Sequence, residues 1–458
     1  MSSELPKVSV AETLASKIAA LKPGVLPAET TRKCEDLLTD IVGLCVTARN
    51  EDYVKAALDG SDDDGPCTVI GHARALTASG AAFVNGTAAH GEDFDDTFEG
   101  GPVHAGAVIV PAVLAACERH GADGAHALTG IAVGTEVLCR LSLVVPKAVH
   151  KAGFHPTAIF GAMGSAAGVG VALGLNAKQI VDALGIAGSM AGGIIEYLAE
   201  GAWTKRMHAG WAAQSGIRAA LLAKQGFVGP RTVFEGVHGL FHGFAHTTKG
   251  DYDALVGDFG TRWVTDTLAF KPYPCGTMAQ PYIDCARRLA SRGIKPEEVE
   301  SILCEVAEGT VHRLWEPLAD KLRPRNGYAA KFAVPYLLAT GFVHGGVGLS
   351  AFTEDAIRDE RVLALAAKVK FVIDPDNPYP NNYTGHIKAT LKDGSVVAER
   401  QPYLRGGAQE PLTRQDVADK FALNVQHGGW SKAQGEAALK LLAGLYGGKI
   451  DLKGLRNQ

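Results

Sequence analysis

The sequence lacks an excess of charge of either sign and is poor in aromatic residues. Its 458 residues include 45 Lys and Arg against 49 Asp and Glu, a formal net charge of −4, and only 7% are aromatic. The charge balance argues against a broad basic face for nucleic acid. The shortage of aromatic residues argues against a cavity built around a large hydrocarbon. The length and the 47% apolar content predict a folded protein of two domains.

Paired cysteines, a secretory signal and a convincing membrane span are also missing. The eight cysteines form no C-x-x-C pair, which argues against zinc-finger and redox motifs and predicts reduced thiols in a cytoplasmic protein. The N-terminus has no apolar segment after a basic stretch, so no secretory signal is predicted. The long uncharged run at residues 156–177 is rich in Gly and Ala, which favours a buried helix over a membrane span.

Hydrophobic periodicity predicts a mainly α protein with a smaller α+β domain. Helical spacing dominates the first 260 or so residues, beginning with a capping box formed by Ser9 and Glu12. Short β-rich segments follow at 299–306 and 369–373, and a hairpin with an Asp-Gly turn is predicted over 386–398. The pattern predicts a large helical domain over 1–266 and 401–458 and an inserted α+β domain over 267–400.

Two kinds of polar segment could carry acid–base chemistry. The four carboxylates within residues 92–96 repel one another, so partial burial would raise the pKa of at least one of them. Asp93 and Thr97 would share one face if this segment were helical; a solvated loop is the alternative. His104 and His155 each lie among small residues and suit proton transfer, although a hydrogen-bonded structural role fits each of them taken alone.

A cationic cluster precedes a predicted small-residue helix. Lys205, Arg206 and His208 lie within four residues and could bind the carboxylates of a substrate through charge-assisted hydrogen bonds. A solvated helix start is the alternative interpretation.

Two patterns resemble metal sites but are incomplete. Residues 95–99 have the D-D-x-x-E form of magnesium-dependent terpene synthases, yet no second magnesium motif follows. HGLFHGFAH at 238–246 spaces three histidines for zinc on a helix, but its internal glycines disfavour a helix and no H-E-x-x-H motif is present. We therefore predict neither a metal nor a cofactor.

Five segments in a fixed order resemble the MmgE/PrpD family, which includes 2-methylcitrate dehydratase, cis-aconitate decarboxylase and iminodisuccinate epimerase. They are DFDDT at 93–97, HAGAV at 104–108, GFHPT at 153–157, TKRMHAG at 204–210 and KPYPCGT at 271–277. The resemblance implies a large helical domain with an inserted α+β domain, a homodimer, and an active site between the two domains.

The resemblance also implies which residues form that site. Matched motif by motif, they are Asp93, Thr97, His104, His155 and Lys205, with His208 in a less defined role. One position departs from the pattern: decarboxylase and dehydratase relatives have a histidine where this chain has Gln280. An amide cannot shuttle a proton at neutral pH, so this difference counts against decarboxylation.

The sequence thus leads to the hypothesis of a cofactor-independent dehydratase for a small hydroxy di- or tricarboxylate. Lys205, together with Arg206 or His208, would neutralise the carboxylates of the substrate and stabilise enolate-like charge. His104 and His155 would be the base and the leaving-group acid in an undetermined order, Asp93 would orient one of them, and Thr97 would bind substrate. An epimerase of the same substrate class is the main alternative, followed by a decarboxylase and, distantly, the terpene synthase.

Overall fold

A computed structural model describes residues 7–101 and 103–457 of the chain. The chain divides into two compact units. The first combines the residues up to Leu268 with those from Thr413 onward, and the second runs from Ala269 to Leu412. The second unit ends later than residue 400, the boundary expected from the sequence, because the chain beyond it still bonds within that unit. Arg405, for example, donates to the carboxylate of Asp284 at 3.0 Å.

The first unit is built almost entirely of helices, as its periodicity predicts. Ser9 and Glu12 form the expected capping box at its first helix. The helices before the second unit are α1 (Val10–Ala19), α2 (Ala28–Ala48), α3 (Asp52–Asp59), α4 (Ala78–Gly91), α5 (Gly106–His120), α6 (Gly124–Val144), α7 (Ala148–Lys151), α8 (Pro156–Ala172), α9 (Ala177–Met190), α10 (Tyr197–Glu200), α11 (Thr204–Lys224), α12 (Leu240–Ala245) and α13 (Tyr252–Val256). Short strands β1 (Asp64–Thr68), β2 (Ala75–Leu76) and β3 (Thr97–Phe98) lie between them, and β4 (Leu268–Ala269) marks the passage to the second unit.

The glycine-rich helices α6 and α8 pack closely against each other. A Cβ added at Gly168 would lie 2.5 Å from the backbone oxygen of Gly130, and one at Gly164 would lie 2.6 Å from that of Gly134. The uncharged run after Pro156 is therefore a buried helix, as predicted. Among the described residues, α6 is long and apolar enough to cross a membrane, but its side chains are buried inside the unit.

The second unit is an α+β unit around a four-stranded mixed sheet. Its elements, in chain order, are α14 (Gln280–Ser291), β5 (Val299–Val306), α15 (Glu308–Leu314), α16 (Leu318–Leu322), α17 (Gly327–Ala330), α18 (Val334–His344), α19 (Glu360–Ala366), β6 (Val369–Ile373), β7 (Gly385–Leu391) and β8 (Val396–Gln401). The strand order is β6-β5-β7-β8, with β5 and β6 parallel and the other neighbours antiparallel. The strands and the hairpin predicted from the sequence are all present.

The chain then returns to the first unit through α20 (Arg414–His427) and α21 (Lys432–Gly444). Helix α20 packs on α2, and Lys420 in α20 forms a buried ion pair with Asp40 of α2 at 2.7 Å. The C-terminal helices therefore complete the domain that the N-terminal helices began.

The structure decides two segments whose helical character the sequence left open or disfavoured. The acidic segment 92–96 is not helical: α4 ends at Gly91 and Asp93 has a left-handed φ of 55°, so Asp93 and Thr97 do not share a helix face. The three histidines of HGLFHGFAH do not share a helix, in agreement with the sequence analysis, because α12 contains only His242.

Candidate active site

His90 and the aspartates that follow it form a buried part of the candidate site. Helix α4 carries His90 at its buried C-terminal end, and the turn at Asp93 directs the next carboxylates inward. His90 Nδ1 lies 2.7 Å from Asp95 Oδ2, and both side chains are fully buried. Because an ionised carboxylate only accepts hydrogen bonds, Nδ1 of His90 is the donor.

Asp96 caps the helix that follows. Its two carboxylate oxygens accept hydrogen bonds from the backbone N–H groups of Ala105 at 3.0 Å and Gly106 at 2.9 Å, at the start of α5. These bonds favour the charged form. Burial outweighs them and, together with the nearby charges of Asp95 and Asp40, raises the pKa of Asp96 to about 8. One carboxyl group of the acidic run, that of Asp96, therefore has a raised pKa, as the sequence predicts.

The hydrogen bonds of His104 determine which of its two ring nitrogens carries the proton. Its Nδ1 lies 2.7 Å from the backbone oxygen of Asp96, and a carbonyl can only accept, so Nδ1 is the donor and Nε2 is the basic nitrogen. The hydroxyl of Thr97 lies 3.4 Å from the same Nδ1, and Asp95 Oδ1 lies 3.9 Å from it. The backbone N–H of His104 donates to Thr157 Oγ1 at 3.2 Å. With its side chain 14% exposed, His104 is placed to act as a base.

His155 and His208 form a neutral imidazole pair. Their Nδ1 atoms are 3.2 Å apart, so one ring donates its proton to the other. Burial, followed by electrostatic repulsion from His90 and Lys205, lowers the pKa of His155 well below its usual range and lowers that of His208 to about 4. One ring therefore has an N–H at its Nε2 and the other has a lone pair there.

The backbone at Gly193 packs closely against the His155–His208 pair. Its oxygen accepts a hydrogen bond from the N–H of His155 at 2.8 Å. Its φ is 140°, and a Cβ there would lie 2.7 Å from the Cβ of Ala158 and 3.3 Å from the ring of His208. A side chain at this position would be strained and would press on the imidazoles.

Lys205 and Arg206 are adjacent in sequence, but their side chains have different partners. The ammonium of Lys205, in the first turn of α11, donates to Asp93 Oδ1 in a buried ion pair. The guanidinium of Arg206 lies over the ring of Tyr53, 4.3 Å from its centroid, and the hydroxyl of Tyr53 donates to Glu92 at 3.0 Å. The structure pairs Asp93 with Lys205, and its expected role in orienting a histidine stays a prediction. The side chain of Asp95 contacts His90, and the backbone oxygen of Asp96 contacts His104.

Four imidazoles lie in a row across these elements. Ring centroids are 5.2 Å apart for His104 and His90, 5.6 Å for His90 and His155, and 5.3 Å for His155 and His208. The first unit thus brings together Asp93, Thr97, His104, His155, Lys205 and His208. Sequence reasoning missed His90, whose only signal was its position at the end of a helix just before the acidic run.

Gln280 belongs to the second unit. It is buried at the start of α14, and its amide nitrogen donates to the backbone oxygens of Tyr273 at 3.3 Å and Cys275 at 3.5 Å. Its Oε1 has no hydrogen-bond partner among the residues that the structure describes. The amide is thus held by the KPYPC segment, and a role toward substrate stays a prediction.

A cavity of about 480 Å³ opens beside His208 in the first unit. Tyr197, Met207 and Trp211 contribute to its mostly apolar wall, and Glu196 and Glu200 also line it. Over residues 7–101 and 103–457, no group of three or more His, Cys, Asp or Glu side chains is arranged to hold a metal ion. Of the D-D-x-x-E pattern, the carboxylate of Asp95 contacts His90 and that of Asp96 accepts hydrogen bonds at the start of α5.

Comparison with known proteins identifies the family. The model of the MmgE/PrpD N-terminal domain matches residues 12–253, and that of the MmgE/PrpD C-terminal domain matches residues 273–442. The chain belongs to the MmgE/PrpD family. The resemblance seen in the five sequence motifs is thereby confirmed.

Relatives within the family differ in how much of the chain they match. The cis-aconitate decarboxylase-like protein oryM of Aspergillus oryzae is 27% identical over 439 residues, covering 91% of this chain and 90% of its own. The cis-aconitate decarboxylase of Mus musculus is 29% identical over 437 residues, covering 91% and 87%. The mitochondrial 2-methylcitrate dehydratase of Yarrowia lipolytica is 27% identical over 218 residues, covering 43% and 38%.

The neutral state of His208 makes the stability of the fold dependent on pH. Its pKa falls from 6.5 to about 4 on folding, so acidification protonates the unfolded chain first and lowers the free energy of unfolding between pH 6.5 and 4. We expect the stability of the wild type relative to His208→Gln to fall by about 2 kcal/mol from pH 7 to pH 5. Urea unfolding at the two pH values measures this, and a difference that does not change with pH would contradict a neutral His208.

Proposed function

We propose that the protein is a lyase that dehydrates a small hydroxy di- or tricarboxylate. The observation that carries this proposal is one buried cluster that combines a basic imidazole nitrogen on His104, a neutral imidazole pair and the ammonium of Lys205. Removal of a proton next to a carboxylate, followed by loss of a β-hydroxyl, needs a base, a proton donor and a cation. Family membership supports a lyase acting on carboxylates.

The proposed reaction uses each group once. Lys205 binds a substrate carboxylate, and His104 Nε2 takes the proton from the adjacent carbon. The electron pair of that C–H bond becomes the new C=C bond while the C–O bond of the β-hydroxyl breaks. The N–H at Nε2 of the His155–His208 pair supplies the proton with which the hydroxyl leaves as water. The proton gained by His104 is later returned to the imidazole pair through solvent.

The remaining residues position Lys205 or bind the substrate. Asp93 keeps the Lys205 ammonium in place through their ion pair, and Thr97 offers a hydroxyl to the substrate beside His104. Arg206, stacked on Tyr53, attracts the anionic substrate without contacting the reacting carbon. We assign Gln280 a binding role only, because its amide cannot transfer a proton.

Decarboxylation is the second candidate, and one observation favours it. Relatives named cis-aconitate decarboxylase match about nine tenths of the chain, whereas the 2-methylcitrate dehydratase matches less than half. In this reaction the C–C bond to a carboxylate breaks, CO₂ leaves with no proton removed from carbon, and the imidazole pair protonates the resulting carbanion. The imidazole pair would again be the proton donor, and Lys205 would again bind a carboxylate of the substrate.

A panel of acids incubated in deuterated water separates these reactions. We expect hydroxy di- or tricarboxylates to form a new alkene, seen by ultraviolet absorbance and proton NMR, without release of CO₂. Release of CO₂ from an unsaturated tricarboxylate would replace dehydration with decarboxylation. Deuterium exchange at the α-carbon with no alkene would instead indicate an epimerase, and no reaction with any acid of the panel would contradict the proposed function.

A further inference from the structure

His90 is a buried titratable group that the proposed reaction leaves without a role. It lies in the middle of the imidazole row, with His104 on one side and His155 on the other. The ring is nearly parallel to that of His155, at an interplanar angle of 22°. Its side chain is fully buried, so it lies behind the more exposed imidazole of His104 and acts through its neighbours.

Asp95 connects His90 to His104. One oxygen of this carboxylate accepts the hydrogen bond from His90 Nδ1 at 2.7 Å, and the other lies 3.9 Å from His104 Nδ1. A single buried carboxylate thus faces two imidazoles, and its charge stabilises a proton on either of them. When His104 accepts a proton from substrate, Asp95 is the nearby charge that stabilises the resulting imidazolium.

The other nitrogen of His90 is the unusual feature. Its Nε2 is buried and has no hydrogen-bond partner among the described residues. Leaving such an atom unpaired costs about 1–3 kcal/mol, and a phenylalanine or leucine would fill the same space without that cost. The sequence nevertheless places an imidazole here, in contact with two others.

We infer that His90, held by Asp95, is a positioning residue of this site that orients the rings of His104 and His155 and sets which protons they carry. The inference rests on the proposed function, since it assigns His104 and His155 their roles in proton transfer. The stacking fixes the plane of His155, and the shared carboxylate couples His90 to His104.

The electrostatics of the row agree with this role. A positive charge on His90 lowers the pKa of His155 and that of His208, after the larger effect of burial. Loss of His90 therefore raises both pKa values and lets the imidazole pair take up a second proton at a higher pH. The charged and titratable groups around His90 are Asp95, His104, His155, His208 and Lys205.

The first test uses the wild-type protein and needs no substrate. Histidine ¹⁵N NMR on the full chain should show His90 protonated at Nδ1 throughout the titration, because that nitrogen donates to Asp95. A neutral His90 protonated only at Nε2 would overturn the inference. This result does not depend on whether the protein is a dehydratase.

The second test uses His90→Gln with the acid that the panel identifies. We expect kcat to fall about tenfold, as for loss of a group that tunes acid–base catalysis, while KM stays within about threefold because His90 is buried. The acidic limb of the kcat profile should move to higher pH by about one unit, and the NMR titrations of His155 and His208 should move in the same direction. An unchanged acidic limb together with unchanged titrations would overturn the inference.

His72→Gln is the matched control. His72 belongs to the same unit and, like His90, has a buried Nε2 with no hydrogen-bond partner among the described residues, but its lowered pKa is due to burial and Arg49. Its variant should leave the acidic limb in place. If the wild type turns over no acid, the proposed function fails, while the tautomer of His90 and the NMR titrations still decide whether it sets the protonation of its neighbours.

Discussion

The Lys205→Met variant is expected to lose at least about a thousandfold in kcat/KM. Removing one preorganised donor from a site that stabilises developing negative charge typically costs 10²–10³ in kcat. In this site the loss is larger, because the buried carboxylate of Asp93, now without its cation, repels the carboxylates of the substrate. Steady-state kinetics with the acid identified by the panel measures the effect.

Stability must be separated from activity in this variant. Breaking a buried ion pair by removing one partner typically costs about 3–5 kcal/mol, so Lys205→Met should also melt at a lower temperature. The double variant Lys205→Met/Asp93→Asn also removes the negative charge of Asp93 and should recover much of that stability while staying inactive. Recovery of activity along with stability would show that Lys205 serves the fold alone.

Arg206→Met provides the neighbouring control. Its guanidinium lies on the ring of Tyr53, so we expect a change of less than about tenfold, mainly in KM and dependent on salt. A loss as large as that of Lys205→Met would mean that the two cations act together on the substrate. Wild-type turnover in Lys205→Met would contradict the proposed site.

The Gly210→Ala variant is expected to lose stability because of a steric clash between two helices. Helix α11 crosses α4 at this residue, and a Cβ would lie 2.0 Å from the backbone oxygen of Phe83 and 2.8 Å from the hydroxyl of Thr87. A backbone oxygen cannot move aside as a side chain can, so the helices must separate. Overpacking of this kind costs about 3 kcal/mol, which lowers the melting temperature by about 4 °C in a unit of this size.

This contact also positions the site. Helix α4 carries His90 and α11 carries Lys205 and His208, so separating the helices should reduce kcat even below the melting temperature. Gly243→Ala is the matched control, because Gly243 lies in α12 with nothing within 4 Å of an added Cβ. That variant should be neutral or slightly stabilising. Equal melting temperatures for the two variants would contradict the close crossing of α4 and α11.

Local patterns explain why much of the fold was predictable. The capping box at Ser9, the β-rich segment 299–306 and the Asp-Gly hairpin after β7 each depend on neighbouring residues, and each is present in the structure. The end of the second unit was less predictable, because it depends on contacts such as Arg405 with Asp284 between residues far apart in the chain.

Candidate site residues could be named from motifs, but their partners could not. The sequence did not show that Asp93 pairs with Lys205 or that Asp95 contacts His90, and the expected orientation of a histidine by Asp93 stays a prediction. The segment has a left-handed turn at Asp93, and the three aspartates that it carries are all buried. A one-residue change of backbone conformation has no signal in residue type alone.

The sequence by itself determined the family, the helical and α+β character of the two units, and the set of histidines, carboxylates and cations available for chemistry. These follow from residue order and periodicity, which are local properties. Only the tertiary structure decided that His90 joins the site, that His104 holds its proton on Nδ1, and that His155 and His208 share one. Protonation and pairing depend on burial and on distances of a few ångströms between different helices, and these exist only once the chain has packed.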